Sequence, residues 1–306
     1  MHTPFAPQRL GWAVVLTALL SACLTARTPR PPVAGAPTLP RPPVATDTLA
    51  NVPMRDDNLA LGNPSGASTT DPNNFLLIKP QYVVSYSRGR GIANWSSWHL
   101  SAAWKGDSRR TNVFQPDPSL PAGWYAARPS DYTNSGFDRG HLCPSDDRDG
   151  SPADNAATFL LTNIVPQAPR HNREVWKNLE EFARQLVADG TQEVYIIAGA
   201  SGTGGIGGNG SDVVTSIASG KLTVPATLWK IIVVLPVGTD DVARITTNTR
   251  VIAVNIPNGQ SAADKPWRAY LTSVDALETL TGYDFLSNVA PDIQRVIEAR
   301  IDGGNS

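Results

Sequence analysis

Between residues 75 and 300 the apolar positions follow two periods. Phe75-Leu76-Leu77-Ile78 and Tyr82-Val83-Val84-Ser85-Tyr86 are short apolar runs, and Ser87-Arg88-Gly89-Arg90-Gly91 is a turn signal, so two strands are expected here. Residues 95–104 alternate. Trp98, Leu100 and Ala102 fall on one side, and Ser97, His99 and Ser101 on the other, which predicts a strand with His99 on a sheet face. Residues 193–199 contain Val194-Tyr195-Ile196-Ile197 with little alternation, the pattern of a strand covered on both faces. Residues 222–224, 229–235 and 250–256 complete the strands. The helical period is clearest over 172–188, where Val175, Trp176, Leu179, Phe182, Ala183 and Leu186 recur at three- and four-residue steps ahead of Gly190. Further helices are expected over 154–161, 273–281 and 291–300. Residues 105–136 and the glycine-rich 199–210 read as a long loop and a flexible loop. Strands and helices are interspersed without a βαβ repeat, so the expected class is α+β, with a central, largely antiparallel sheet flanked by helices.

The N-terminal part has neither period. Residues 11–22 are almost wholly apolar and follow Arg9, too short for a permanent membrane span but suited to the core of a secretory signal. Leu20-Ser21-Ala22-Cys23 resembles the bacterial lipobox, which implies cleavage before Cys23 and lipid attachment to it. From there to residue 68, prolines alternate with Ala, Thr and Val, a composition that favours an extended tether over a packed core. The expected organisation is a signal peptide at 1–22, a lipidated Cys23 with a Pro-rich tether at 23–68, and a folded domain at 69–306. The expected location is exported, anchored to the cell envelope as a lipoprotein, or secreted if Cys23 carries no lipid.

Composition changes this picture little. Hydrophobic residues make up 41% and charged residues 17%, and the formal net charge is -1, so any nucleic-acid partner must be met by a local basic groove. Two cysteines, Cys23 and Cys143, cannot build a structural zinc site or a disulfide framework. The four histidines are His2, His99, His141 and His171, so a three-histidine metal site would need every one outside the N-terminus.

The chemistry concentrates between Asp138 and Arg184. Phosphodiester hydrolysis needs an activated water, charge stabilisation on the phosphoryl oxygens and help for the leaving oxygen. Histidine suits the first role near neutral pH, and arginine matches phosphate with a two-pronged donor. A hydrated Mg²⁺ needs few protein ligands because it keeps most of its waters. Glu180 and Arg184 are four residues apart and share a helix face; Asn172 lies within ~80° of Glu180 on an α-helical wheel. Each residue alone has a plainer reading: His141 a loop histidine, Glu180 and Arg184 an exposed ion pair, Asn172 a helix cap, Arg139 a surface charge. Those readings do not account for the spacings together. Cys143 reads as a small packed side chain, and His171 as facing away from the site.

Asp138-Arg139-Gly140-His141, Thr162-Asn163-Ile164-Val165-Pro166-Gln167 and Asn172-Arg173-Glu174-Val175-Trp176-Lys177-Asn178-Leu179-Glu180 resemble the DNA/RNA non-specific endonuclease family. These are the ββα-metal (His-Me finger) nucleases of the Serratia nuclease and endonuclease G type. The likeness extends from about Asn112 to Phe285. It implies a hydrolase that cuts DNA and RNA, single- and double-stranded, to 5′-phosphorylated products. It also implies His141 as general base, Asn172 as the one direct ligand of Mg²⁺ (Mn²⁺ as the alternative ion), and Glu180 as holder of metal-bound waters. Arg139, Arg184 and Arg110 are implied as phosphate binders, Arg110 being chosen over its neighbour Arg109 by its distance from Phe114 and Asp117. Asp138 and Asn163 are implied as orienting residues. Expected partners are DNA and RNA, with a protein inhibitor a further candidate. The rival reading is an inactive surface nucleic-acid-binding protein on the same scaffold. It would keep the arginines and lose His141, Asn172 or Glu180, all three of which are present. A phosphodiesterase for small substrates is a third.

Overall fold

A computed structural model describes residues 54–303; the apolar block 11–22, Cys23 and the Pro-rich stretch up to Pro53 lie outside the described residues. In chain order the strands are β1 (Phe75–Ile78), β2 (Val83–Ser87), β3 (Ile92–Leu100), β4 (Asp138–His141), β5 (Ile164–Gln167), β6 (Gln192–Ser201), β7 (Ser216–Ile217), β8 (Leu222–Thr223), β9 (Thr227–Pro236), β10 (Arg250–Pro257) and β11 (Leu271–Thr272). The helices are α1 (Pro152–Ala157), α2 (Lys177–Leu186), α3 (Asp241–Arg244), α4 (Val274–Thr281) and α5 (Pro291–Ile297). Seven strands form one sheet in the order β1-β2-β3-β6-β9-β10-β11, and each neighbouring pair is antiparallel. β4 and β5 form a separate antiparallel ribbon, and β7 and β8 a third, smaller one.

The sheet is centred on β6 and β9, which pair from Gln192↔Pro236 to Ser201↔Thr227. Side chains alternate between faces along each strand. On one face Trp98, Ile196, Ile232 and Ile252 meet Trp176, Leu179 and Ala183. On the other, Trp95, Ile197, Trp229, Ile231 and Val233 meet Val274, Leu277, Phe285 and Leu286. Burying each of these side chains contributes roughly 1.5–3 kcal/mol, so both faces of the central strands are mostly apolar. Gly199 lies between β3 and Trp229, where an added Cβ would stand 2.2 Å from the indole and 2.5 Å from the Asn94 carbonyl. Only glycine permits that approach.

Most expected elements are found, with informative shifts. β3 begins at Ile92 and ends at Leu100, after which Ala102–Trp104 is a 3-10 turn capped by Ser101. The second half of the expected 154–161 helix is absent because α1 stops at Ala157. The glycine-rich loop after β6 is pinned rather than free: Gly208 N–H donates to Gly136 O at 2.8 Å, and Ile206 N–H to Asn258 O at 2.9 Å.

The domain also starts earlier than expected. Residues 54–68 pack on the sheet, with Leu61 and Ala67 buried in the second core. Ser97 Oγ donates to Asn58 O at 2.6 Å and His99 N–H to Asn58 Oδ1 at 3.0 Å. The few apolar side chains of this segment carry no period, so its packing could not be read from the pattern.

Candidate active site

The β4–β5 ribbon, the helix beginning at His171 and the loop before β4 converge on one cavity of about 220 Å³. Arg110, Arg139, His141, Asn172, Glu180 and Arg184 all line it, together with Pro144, Asp146, Arg173 and Lys177. Arg109 is not among the lining residues. The lining carries five cationic side chains and two acidic ones, a basic groove on a chain of net charge -1. That asymmetry is what a polyanion requires locally.

His141 ends β4 and is register partner of Ile164. Its ring is packed between aromatic rings, 5.4 Å from Phe114 and 5.0 Å from Phe159. Burial, with the nearby Arg110 charge, pushes its pKa down from 6.5 to about 3, so the imidazole is neutral across ordinary pH and keeps a free lone pair. Nε2 is enclosed and has no hydrogen-bond partner. The same aromatic rings orient two arginines: Arg139 lies 4.7 Å over Phe114 and Arg110 5.0 Å over Phe159. Arg110 also donates to Asn112 Oδ1 at 2.7 Å and to Ser145 Oγ. Neither phenylalanine stood out in the sequence as part of the site.

Gly140 has a steric reason. A Cβ there would fall 1.6 Å from Gln167 Oε1 and 2.3 Å from Cδ of the same side chain. Gln167 is buried and its amide reaches His171 Nδ1 at 3.3 Å, so it has no room to withdraw. His171 is itself buried, tilted against Trp176 at 5.5 Å, and does not line the cavity, as expected.

Residues 172–188 do not begin as an α-helix. His171–Trp176 is a π-helical turn that runs into α2. A π-turn absorbs one extra residue, so Asn172 and Glu180 stand as if seven residues apart, about 20° on the wheel instead of ~80°. The distortion therefore swings Asn172 over Glu180. Asn172 Nδ2 donates to Asp138 Oδ2 at 2.9 Å, which fixes the amide and turns its oxygen away from that carboxylate. Asp138 is held in turn by Arg173, through Nε at 2.8 Å and Nη2 at 2.7 Å. Asn163 acts one step away: it donates to Cys143 O and Thr158 O and accepts from Cys143 N–H, clamping the backbone after His141. Cys143 is buried and its thiol is pushed up to about 12 by burial, in keeping with a packing role.

Glu180 is not tied up with Arg184. Its carboxylate faces Lys230 Nζ at 3.7 Å, and Lys230 is buried over the Trp176 ring at 4.2 Å. Burial pushes the Glu180 carboxyl up to about 7, with Lys230 and then Arg184 pulling it back. Arg184 is steered by Asp147, whose Oδ1 accepts from Nη1 at 3.1 Å and whose Oδ2 accepts from Trp98 Nε1 at 2.9 Å. Lys230 belongs to none of the site motifs, yet a lone lysine inside Trp229-Lys230-Ile231-Ile232-Val233-Val234-Leu235 signals a buried counter-ion.

A two-stranded ribbon carrying histidine, crossed by a helix carrying an amide and a carboxylate and set in a basic groove, defines a ββα-metal nuclease, a hydrolase. The chain belongs to the DNA/RNA non-specific endonuclease family, whose sequence model matches residues 63–292. It is 51% identical over 247 residues to a nuclease of Nostoc sp. (strain PCC 7120 / SAG 25.82 / UTEX 2576), covering 80% of this chain and 86% of the relative. It is 31% identical to human mitochondrial endonuclease G, covering 70% of each. A solved structure of the EndoG/EndoGI complex, on EndoG inhibition, matches the fold with a TM-score of 0.62 at 24% identity, covering 76% of this chain and 91% of that one.

Proposed function

We propose that this nuclease is a sugar-non-specific endonuclease, cutting single- and double-stranded DNA and RNA to 5′-phosphorylated products. The observation that carries this is the convergence of a neutral, buried imidazole with four arginines, one amide and two carboxylates in a single cavity. The donors suit a hard, hydrated cation: the Asn172 amide oxygen is turned away from Asp138, and the Glu180 carboxylate has only a long approach to Lys230. Asn172 would hold Mg²⁺ (or Mn²⁺) directly and Glu180 through water. When bound, the ion supplies charge stabilisation at the departing 3′-oxygen.

The protein's own groups do the rest. His141 takes the proton from a water that attacks phosphorus in line. Arg110, Arg139 and Arg184 hold the phosphate and its developing charge. Asp138 and Asn163 keep Asn172 and the His141 backbone in place. Arginine contacts to phosphate carry no sequence information, so recognition would be mostly of the backbone.

The test is degradation of plasmid and of bulk RNA by the full-length protein, with and without EDTA. The expected result is that both polymers are cut, that EDTA stops cutting, and that raising salt from about 50 to 200 mM slows it at least tenfold. Retained plasmid shifted on a gel but never nicked would favour the inactive binding protein, and RNA left intact while DNA is degraded would end the sugar-non-specific reading. We further propose export and anchoring through a lipid on Cys23, on the strength of residues 11–23. Radiolabelled palmitate should enter the wild type in a bacterial host and not Cys23→Ser; equal labelling of both would remove the anchor.

A further inference from the structure

A second polar cluster lies on the opposite face of the sheet. His99 in β3 and Tyr195 in β6 are register partners, and Glu193 stands two residues from Tyr195. Alternation puts all three on the face away from Trp98 and the catalytic groove. Asp56 reaches this face from the N-terminal segment and Asp241 from the start of α3. One ligand atom from each of Asp56, His99, Glu193 and Asp241 lies within 4.8 Å of all the others.

Three of these atoms are enclosed and without hydrogen-bond partners: Asp56 Oδ2, His99 Nε2 and Glu193 Oε2. The side chains of His99 and Glu193 have no exposed surface, so water does not compensate them, and leaving such groups unpaired is costly. The remaining oxygens are engaged. Arg244 Nη2 donates to Glu193 Oε1 and Asp241 Oδ1, and the Tyr195 hydroxyl donates to Asp241 Oδ2. His99 Nε2 lies 3.5 Å from Glu193 Oε2 and 3.7 Å from Asp56 Oδ2. Both separations are too long for hydrogen bonds. They match the donor–donor edge, ~3.4 Å, of a tetrahedron whose bonds to a central ion are about 2.1 Å.

The charges agree with the distances. Three carboxylates, from Asp56, Glu193 and Asp241, face one guanidinium, so the cluster has an excess of acidic groups that a divalent cation would offset. Asp56, Tyr195 and Asp241 line a surface cleft of about 820 Å³, which gives an ion a way in.

We propose that Asp56, His99 and Glu193 form a second metal site, separate from the catalytic one, that takes a divalent transition ion with mixed nitrogen and oxygen ligands such as Zn²⁺. A water from the cleft, held by Asp241, fills the fourth position; each Asp241 oxygen has a lone pair left for it. Binding gives up the Asp56 N–H contact to His99 Nδ1, 3.3 Å long, because a ring offering Nε2 to an ion carries its hydrogen on Nδ1. The ion would pin the N-terminal segment to β3, β6 and α3, so its role is structural.

The test uses full-length Asn172→Ala protein, in which the catalytic ion has lost its direct ligand, stripped with EDTA and titrated with Zn²⁺ by calorimetry and thermal melting. One equivalent of Zn²⁺ should bind and raise the Tm. Adding His99→Gln should abolish binding. Adding Asp56→Asn, on the partly exposed segment, should weaken it at least about tenfold and remove the Tm shift. Should the His99→Gln protein not fold, the Asp56→Asn protein decides. A parent that binds no Zn²⁺, or an Asp56→Asn protein that binds as tightly and melts as high with Zn²⁺ as its parent, overturns the site.

Discussion

Replacing His141 by alanine is expected to lower kcat for plasmid cleavage at least about 100-fold, because a positioned general base contributes roughly 10²–10⁴ to such a step. Retention of more than about a tenth of the wild-type turnover would place the base elsewhere. The fall should not be mistaken for unfolding, so far-ultraviolet dichroism and melting of both proteins belong to the experiment. The pH behaviour makes the assignment sharper. With its pKa held down to about 3, His141 is deprotonated well below the usual histidine range, so at saturating metal the wild-type pH–rate profile should show no acid limb near pH 6.5 from this imidazole. The same depression has a stability consequence whose sign is fixed. Between about pH 3 and 6.5 the unfolded chain binds a proton at this position that the folded chain does not, so stability falls as pH falls through that window. His171, also held down to about 3 by burial and by Lys230, adds a second such group. The His141→Ala protein should therefore lose less stability on acidification than the wild type, and His171 should leave it some of that sensitivity.

Asn172→Ala should be comparably damaging, with a different signature. Its amide oxygen would be the only direct protein ligand of the catalytic ion, so cleavage should drop at least about 100-fold at a metal concentration that saturates the wild type, with part of the loss regained at much higher metal. An Asn172→Ala enzyme with an unchanged metal titration would show that the ion sits elsewhere. Glu180 supplies the accompanying pH test. Burial holds its carboxyl near pH 7, so a proton competes there with the waters of a bound ion. The acid limb of wild-type kcat/KM should lie near pH 7 at low metal and move to lower pH as metal is raised. In the Asn172→Ala enzyme the limb should stay near 7 until metal concentrations at which the wild type has already shifted.

Much of the site was legible in the chain because its members are bound to one another by short-range rules. Gly140 must be small because Gln167 crosses it on the paired strand, so Asp138-Arg139-Gly140-His141 and the 162–167 stretch identify each other. Glu180 and Arg184 share a helix face at any register. Phe114, Phe159, Asp147 and Lys230 were not legible as site residues. Each joins the groove through tertiary packing, from a strand or loop whose own pattern gives little sign of it. Lys230 left a faint mark, as a charge in an apolar strand, but its partner Glu180 stands fifty residues earlier. The packing of residues 54–68 left none, since Leu61 and Ala67 are too few to make a pattern.

Chain order alone determined the fold class, the central strands, the helical stripe and the family of the chemistry, because apolar runs, the three- and four-residue steps of a helix and the spacing of a motif are local properties. The tertiary structure decided how those parts act. It put a π-turn under Asn172, for which an α-helical wheel gives the wrong angle. It wrapped His141 in aromatic rings and so kept it neutral. It also gathered Asp56, His99, Glu193 and Asp241 from four distant segments onto one buried face. Charge states and ligand geometry depend on desolvation and on partners far away in sequence, and both come only with the folded structure.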